Sequence, residues 1–222
     1  MPALHVERAS CRSYATHRQG ARHCYYARGV QGIAWRQGVT PYFQNGNVTI
    51  YHADCREVLP DMSEISLVLT DPPYAKSSNR SEWKVTASVA IGLYMAARLV
   101  PKNGAMFVFT TSSGRGIEFT LSAVGNVLPF NRLLTWHKTF VRSRVAGPWR
   151  WDTVQIVAFG RASFGRPEAS SCFRSVGPAS PKSLGGTGHP AELPDGIADW
   201  LYAPFGEGDG VVLDPFLGTG QL

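Results

Sequence analysis

Residues 67–78 read LVLTDPPYAKSS, and the fold is decided here. Leu67 to Thr70 close a nearly continuous apolar run, EISLVLT over 64–70, which marks a strand covered on both faces. The run stops at Asp71, and Pro72, Pro73 and Tyr74 follow. Proline has no N–H for a ladder and fixes φ at about −65°, so the strand ends here in a rigid elbow. In open α/β sheets ligands bind beyond the carboxyl ends of the strands, so a carboxylate held at such an end invites a chemical reading.

The flanking sequence supplies the rest of such a sheet. Residues 47–54, NVTIYHAD, form a β-branched strand ending in Asp54, and CREVLPDM after it reads as a short helix. Downstream, residues 83–100 make an amphipathic helix stopped by Pro101 and the PKNG turn. AMFVFT (105–110) is a second buried strand, and GIEFTLSAVGNVL (116–128) a helix. FNRLLTWHK (130–138) and DTVQIVAFG (152–160) are two more strands. Residues 161–188, rich in Ser, Gly, Pro and Arg, show no period and read as a loop-dominated insert. PAELPDGIADWLYAPF (190–205) regains helical spacing, with Leu193, Ile197, Trp200 and Leu201 on one face. GVVLDPFLGTG (210–220) is a strand running into a glycine turn. Alternating strands and helices predict an open α/β sheet, mainly parallel, with antiparallel edge strands. Residues 1–40 carry no period of 2 or 3.6 and read as a poorly ordered basic extension, a DNA-binding arm being the sharper reading.

Charge is unevenly spread. The chain of 222 residues has a formal charge of +6. Residues 1–40 hold six arginines against Glu7, a balance of +5. Residues 138–188 hold eight lysines or arginines against Asp152 and Glu168, a balance of +6, which leaves −5 on the remainder. A basic segment on an acidic body suits a localised polyanion contact; a solvated loop is the plainer reading. Cys11, Cys24, Cys55 and Cys172 form no C-x-x-C pair, and Cys11, His17, His23 and Cys24 fit no zinc spacing. Reduced thiols, a cytoplasmic location and no bound metal are therefore expected. The N-terminus lacks the apolar centre of a signal peptide. The longest apolar stretch, residues 85–100, is broken by Ser88 and Arg98 and is too short to span a bilayer, so no membrane association is expected.

Three acids, Asp54, Asp71 and Asp214, each follow an apolar strand. Singly, such an acid is usually a turn residue or helix cap. Three on one edge of one sheet argue for a site. The turn DPFLGTG adds Gly218 and Gly220, which let the backbone approach a ligand. No G-K-[ST] follows, so it is not a phosphate-binding P-loop, and it is not the G-x-G-x-x-G of a nicotinamide enzyme.

The tetrapeptide Asp71-Pro72-Pro73-Tyr74 resembles the catalytic [DNS]-P-P-[YF] motif of the DNA amino-methyltransferases, which methylate the exocyclic amine of adenine or cytosine with S-adenosylmethionine. VTIYHADCREVLPDM resembles the segment that precedes the motif in that family, GHPAELP its H-P-x-E-x-P element, and DPFLGTG its cofactor turn. Catalytic motif first and cofactor turn last is the order of the family's permuted β group. The resemblance spans roughly residues 41–222, with 161–188 matched by position only. It implies a Rossmann-like S-adenosylmethionine-dependent sheet. Residues 41–137 would be the catalytic half, 138–188 a two-strand edge with a target-recognition insert, and 189–222 the cofactor-binding part.

The resemblance assigns roles residue by residue. Asp71 and the Pro72 carbonyl accept hydrogen bonds from the two amine protons, Pro73 stiffens the elbow, and Tyr74 stacks on the base. Asp54 meets the cofactor's adenine, although the family's preceding Gly is Ala53 here. His189 and Pro190 lie near the methionine moiety; His189 reads equally as a residue leading into a helix. Asp214, Phe216, Gly218 and Gly220 form the cofactor turn. Trp136 and His137 read as packing residues, as do Trp149 and Trp151, which would also suit a DNA face. Arg142, Arg144, Arg150, Arg161, Arg166 and Arg174 are available for phosphates.

Implied partners are double-stranded DNA with base flipping, a second copy in a homodimer, and a cognate restriction endonuclease in a bacterial or phage setting. The family's helix and strand after the glycine turn are not matched before Leu222, so a sheet incomplete at its C-terminal end, with an apolar edge, is expected. Adenine is the favoured target because the motif begins with Asp. A cytosine enzyme, an inactive DNA-binding remnant, and a methyltransferase of RNA or protein glutamine are the alternatives.

Overall fold

The computed structural model describes residues 24–28, 39–63, 65–73, 80–139, 152–161, 170–175, 193–194, 196–205, 210–218, 220 and 222, with backbone alone for 24–28 and 80–85. Its strands are β1 (Cys24–Arg28), β2 (Phe43–Asn45), β3 (Val48–His52), β4 (Leu67–Thr70), β5 (Ala105–Thr110), β6 (Phe130–Lys138), β7 (Thr153–Gly160), β8 (Cys172–Ser175) and β9 (Val212–Asp214). Its helices are α1 (Cys55–Val58), α2 (Arg80–Leu99), α3 (Gly114–Val124) and α4 (Ile197–Tyr202). The strands form one sheet in the order β2-β3-β1-β9-β4-β5-β7-β6-β8.

β9, β4 and β5 pair in parallel at the centre. The strand pairings set β3, β4, β5, β6, β8 and β9 in one direction and β1, β2 and β7 in the other. The expected α/β sheet, mainly parallel with antiparallel strands toward its edges, is therefore the fold. Its residues alternate between two covered faces, as β side chains must. Val68, Met106, Val108, Val157 and Phe159 pack on one side with Val58, Leu93, Ala96 and Val124 of the helices α1 to α3. Leu67, Leu69, Phe107, Phe109 and Ile156 pack on the other with Leu193, Ile197 and Leu201. Two-sided burial explains why 67–69 and 105–109 read as unbroken apolar runs.

Several elements depart from the sequence reading. Residues 24–28, inside the extension expected to lack order, form β1, paired with β3 on one side and β9 on the other. A short strand held by backbone bonds on both edges needs no amphipathic period of its own. The same pairing corrects a second expectation: β9 has no open edge, because β4 and β1 flank it. β8 lies within the 161–188 insert and pairs with β6; CFRS is too short and too polar to signal a strand. In the stretch with helical spacing from 190, the described residues Leu193 and Pro194 are not helical and α4 begins at Ile197, after Gly196 at φ 80°; Leu193, Ile197 and Leu201 share the buried face as expected. No helix among the described residues is long and apolar enough to cross a membrane.

Candidate active site

β3, β9 and β4 run together, so Asp54, Asp214 and Asp71 stand at one edge of the sheet. β4 and β9 are neighbours, with Leu67 opposite Val212 and Val68 opposite Leu213. This register brings the Asp71 elbow beside the turn that follows Asp214. Asp71 is half-buried, Pro72 buried and Pro73 exposed. Tyr74, His189 and Pro190 lie outside the described residues.

Asp214 is the most constrained of the three acids. Its side chain is buried, and its Oδ1 accepts the Thr70 hydroxyl at 2.7 Å and the Phe216 N–H at 2.9 Å. Burial pushes its pKa up to about 7, against these two bonds, which favour the charged form. The Asp71 carboxylate adds to the rise, so the two acids share one electrostatic neighbourhood.

The turn after Asp214 is built for close approach. Gly218 and Gly220 have φ of 56° and 75°, and the Gly220 N–H donates to the Leu217 carbonyl at 2.8 Å. A side chain at either would be strained, yet among the described residues a Cβ at Gly218 would meet nothing nearer than the Phe216 carbonyl at 3.7 Å. The ring of Phe216, a residue assigned to the cofactor turn, is buried against α2, where a Cβ on Gly92 would lie 2.9 Å from its Cζ and 2.8 Å from Cys55 Sγ. It anchors the turn by packing.

Asp54 stands two strands from β9, with β1 between. Its carboxylate caps α1, accepting the Arg56 backbone N–H at 3.0 Å, and grips the Arg56 guanidinium through Nε at 2.9 Å. Asp54 thus serves as the N-cap of α1.

Thr70 and Lys138 were not singled out in the sequence. Thr70 was legible as the one polar residue closing a wholly buried strand, since a buried hydroxyl needs a partner. Lys138 ends β6 at the same edge, with its ammonium 4.7 Å from the centre of the Trp136 ring. Burial lowers its pKa, and the charge of Asp71 opposes that shift. Trp136 packs as expected: it is buried and its Nε1–H donates to Ser175 Oγ at 2.7 Å. His137 Nε2 lies 3.8 Å from Asp152 Oδ2. Of the arginines offered for phosphates, Arg161 and Arg174 are described and exposed. Arg174 is on β8 opposite His137, near the site edge. Arg161 follows β7, whose Gly160 pairs with Ala105 at the start of β5, so it lies at the opposite edge. Arg142, Arg144, Arg150, Arg166, Trp149 and Trp151 lie outside the described residues, as do Cys11, His17 and His23.

No protein-family model matches the chain, and no curated protein matches it. Among solved structures, it is similar to M1.HpyAVI in complex with SAM, with a TM-score of 0.52 and 22% identity over 69% of this chain and 74% of that one. It is also similar to TTHA0409 of Thermus thermophilus, named as a DNA modification methylase and solved with S-adenosyl-L-methionine; the TM-score is 0.52 and the identity 17% over 76% of this chain and 80% of that one. At these identities the likeness shows the fold, which this chain shares with those two proteins.

Proposed function

We propose that the chain transfers a methyl group from S-adenosylmethionine to the exocyclic amine of an adenine flipped out of double-stranded DNA. The observation that carries this reading is the meeting of the Asp71 elbow and the glycine turn on adjacent parallel strands, tied by the Thr70–Asp214 hydrogen bond of 2.7 Å. An acceptor for an amine and a cradle for a small cofactor thus adjoin. The two solved structures that share the fold carry S-adenosylmethionine, and one of them is named a DNA modification methylase.

The residues fit the cofactor: Gly218 and Gly220 carry no side chains, and among the described residues nothing lies nearer than 3.7 Å to where a Cβ on either would stand. S-adenosylmethionine, when bound, supplies an electrophilic methyl on a sulfonium. The chain's part is orientation. A nucleobase amine is a weak nucleophile because its lone pair is shared with the ring. Asp71 and the Pro72 carbonyl accept hydrogen bonds from its two N–H groups and favour a pyramidal nitrogen, and the prolines hold both acceptors in place beforehand. Tyr74 stacks on the base, worth about 1–3 kcal/mol. Extruding the base costs a few kcal/mol, which contacts from the basic 138–188 segment offset. Lys138, at the end of β6 on the same edge as Asp71, adds a positive charge where the polyanion arrives.

The test is a labelled methyl-transfer assay on duplex DNA with nucleoside analysis of the product. N6-methyladenine is the expected product, and Asp71→Ala is expected to lower turnover at least about 100-fold while leaving DNA affinity within about twofold. Methylcytosine alone would overturn the base assignment. No transfer, with no S-adenosylmethionine binding in calorimetry, would leave a DNA-binding remnant.

A further inference from the structure

We infer that Thr70 is a positioning residue of this site: through Asp214 its hydroxyl locks the Asp71 elbow to the glycine turn and so sets the acceptor and donor halves in register. The inference rests on the methyl-transfer reading above. Its basis is where the backbone ladder stops. β4 and β9 are paired at Leu67–Val212 and Val68–Leu213, and the ladder ends there. Pro215 follows Asp214 and has no N–H with which to extend it. Both functional segments begin just past that point, Asp71 on one strand and Phe216 to Gly220 on the other.

The Thr70 hydroxyl bridges the gap. It donates to Asp214 Oδ1 at 2.7 Å, and the same oxygen accepts the Phe216 N–H at 2.9 Å. One buried oxygen therefore joins the last residue before the elbow, the last residue of β9 and the first turn residue after Pro215. Thr70 and Asp214 are 144 positions apart in the chain, so the bond is tertiary and carries the link between β4 and β9 past the end of their ladder. Thr70 is fully buried, and its strand neighbours Leu67, Val68 and Leu69 are apolar. Valine would fill the same space. Burying a carboxylate to receive this hydroxyl is costly, and packing alone does not call for it. Methyl transfer needs the amine in line with the donor, and a misplacement of about 1 Å can cost on the order of 100-fold in rate.

Thr70→Val keeps the shape and removes the donor, while Thr70→Ser keeps the donor. In steady-state methyl transfer by the full chain on duplex DNA, Thr70→Val is expected to lower kcat about 10- to 100-fold, with KM for DNA within about threefold. Thr70→Ser is expected to restore kcat to within about threefold of the parent. If Thr70→Val does not fold, as judged by thermal melting, Thr70→Ala carries the same test, because it adds no bulk. A donor-free variant that melts lower yet keeps kcat within about twofold would sink the inference, as would a folded Thr70→Ser no better than Thr70→Val. A parent chain that neither binds S-adenosylmethionine nor transfers methyl would instead overturn the underlying reading and this inference with it.

Discussion

A carboxylic acid inside an apolar sheet has to be neutral or costly, and Asp214 lies near the boundary. Its ordinary value is 3.8, and burial raises it to about 7. The folded chain thus holds this proton more tightly than the unfolded one does. Stability from this group is greatest below about pH 4, falls as pH rises toward 7, and is level above that. A shift of this size is worth on the order of 2–4 kcal/mol. Asp214→Asn keeps an oxygen for the Thr70 hydroxyl and the Phe216 N–H and removes the charge. It is expected to raise Tm by roughly 5–10 °C at pH 8 and to change it least near pH 4. Melting curves at the two pH values decide the matter, and an equal effect at both would show that Asp214 is not the group that titrates. The acid was legible in the sequence as a strand-end residue. Its burial was not, because it depends on Thr70, far away in the chain.

Among the elements, α2 carries the clearest constraint on the site. Gly92 faces the Phe216 ring and Cys55, both buried. In a helix Gly→Ala ordinarily gains about 1 kcal/mol, whereas forcing a methyl into a filled core costs about 1–3 kcal/mol. Gly92→Ala is therefore expected to lose up to about 2 kcal/mol in denaturant titration. Displacing the ring also shifts the glycine turn, so S-adenosylmethionine affinity is expected to fall more than DNA affinity. A stabilised variant with normal cofactor affinity would refute the anchoring role of Phe216. The elements themselves were largely readable. β4, β5, β6 and β7 announced themselves because burial on one or both faces leaves an apolar record. β1, β2 and β8 did not, because runs of three to five residues outside a longer apolar stretch set no period of their own. The helix predicted over 116–128 stops at its Gly125 cap, and α4 starts after its Gly196 cap, so glycine set both ends.

Charge acts at the scale of the whole molecule, and strand direction decides which charges matter. Residues 138–188 carry a balance of +6 against −5 on the body outside them and residues 1–40. In sequence, Arg161 and Arg174 belong to one basic segment. In the fold they part, because β7 and β8 run in opposite directions: Arg174 stands near the edge that holds Asp71, and Arg161 at the far edge. A duplex seated over the site would meet the first and not the second. Removing one cation that neutralises a phosphate lowers the slope of log affinity against log salt by about 0.9. In anisotropy titrations of duplex DNA between about 50 and 200 mM salt, Arg174→Ala is expected to reduce that slope by about 1, and Arg161→Ala to leave it unchanged. The reverse pattern would place the DNA on the opposite edge of the sheet, away from the Asp71 elbow, and the proposed chemistry would then have no substrate within reach.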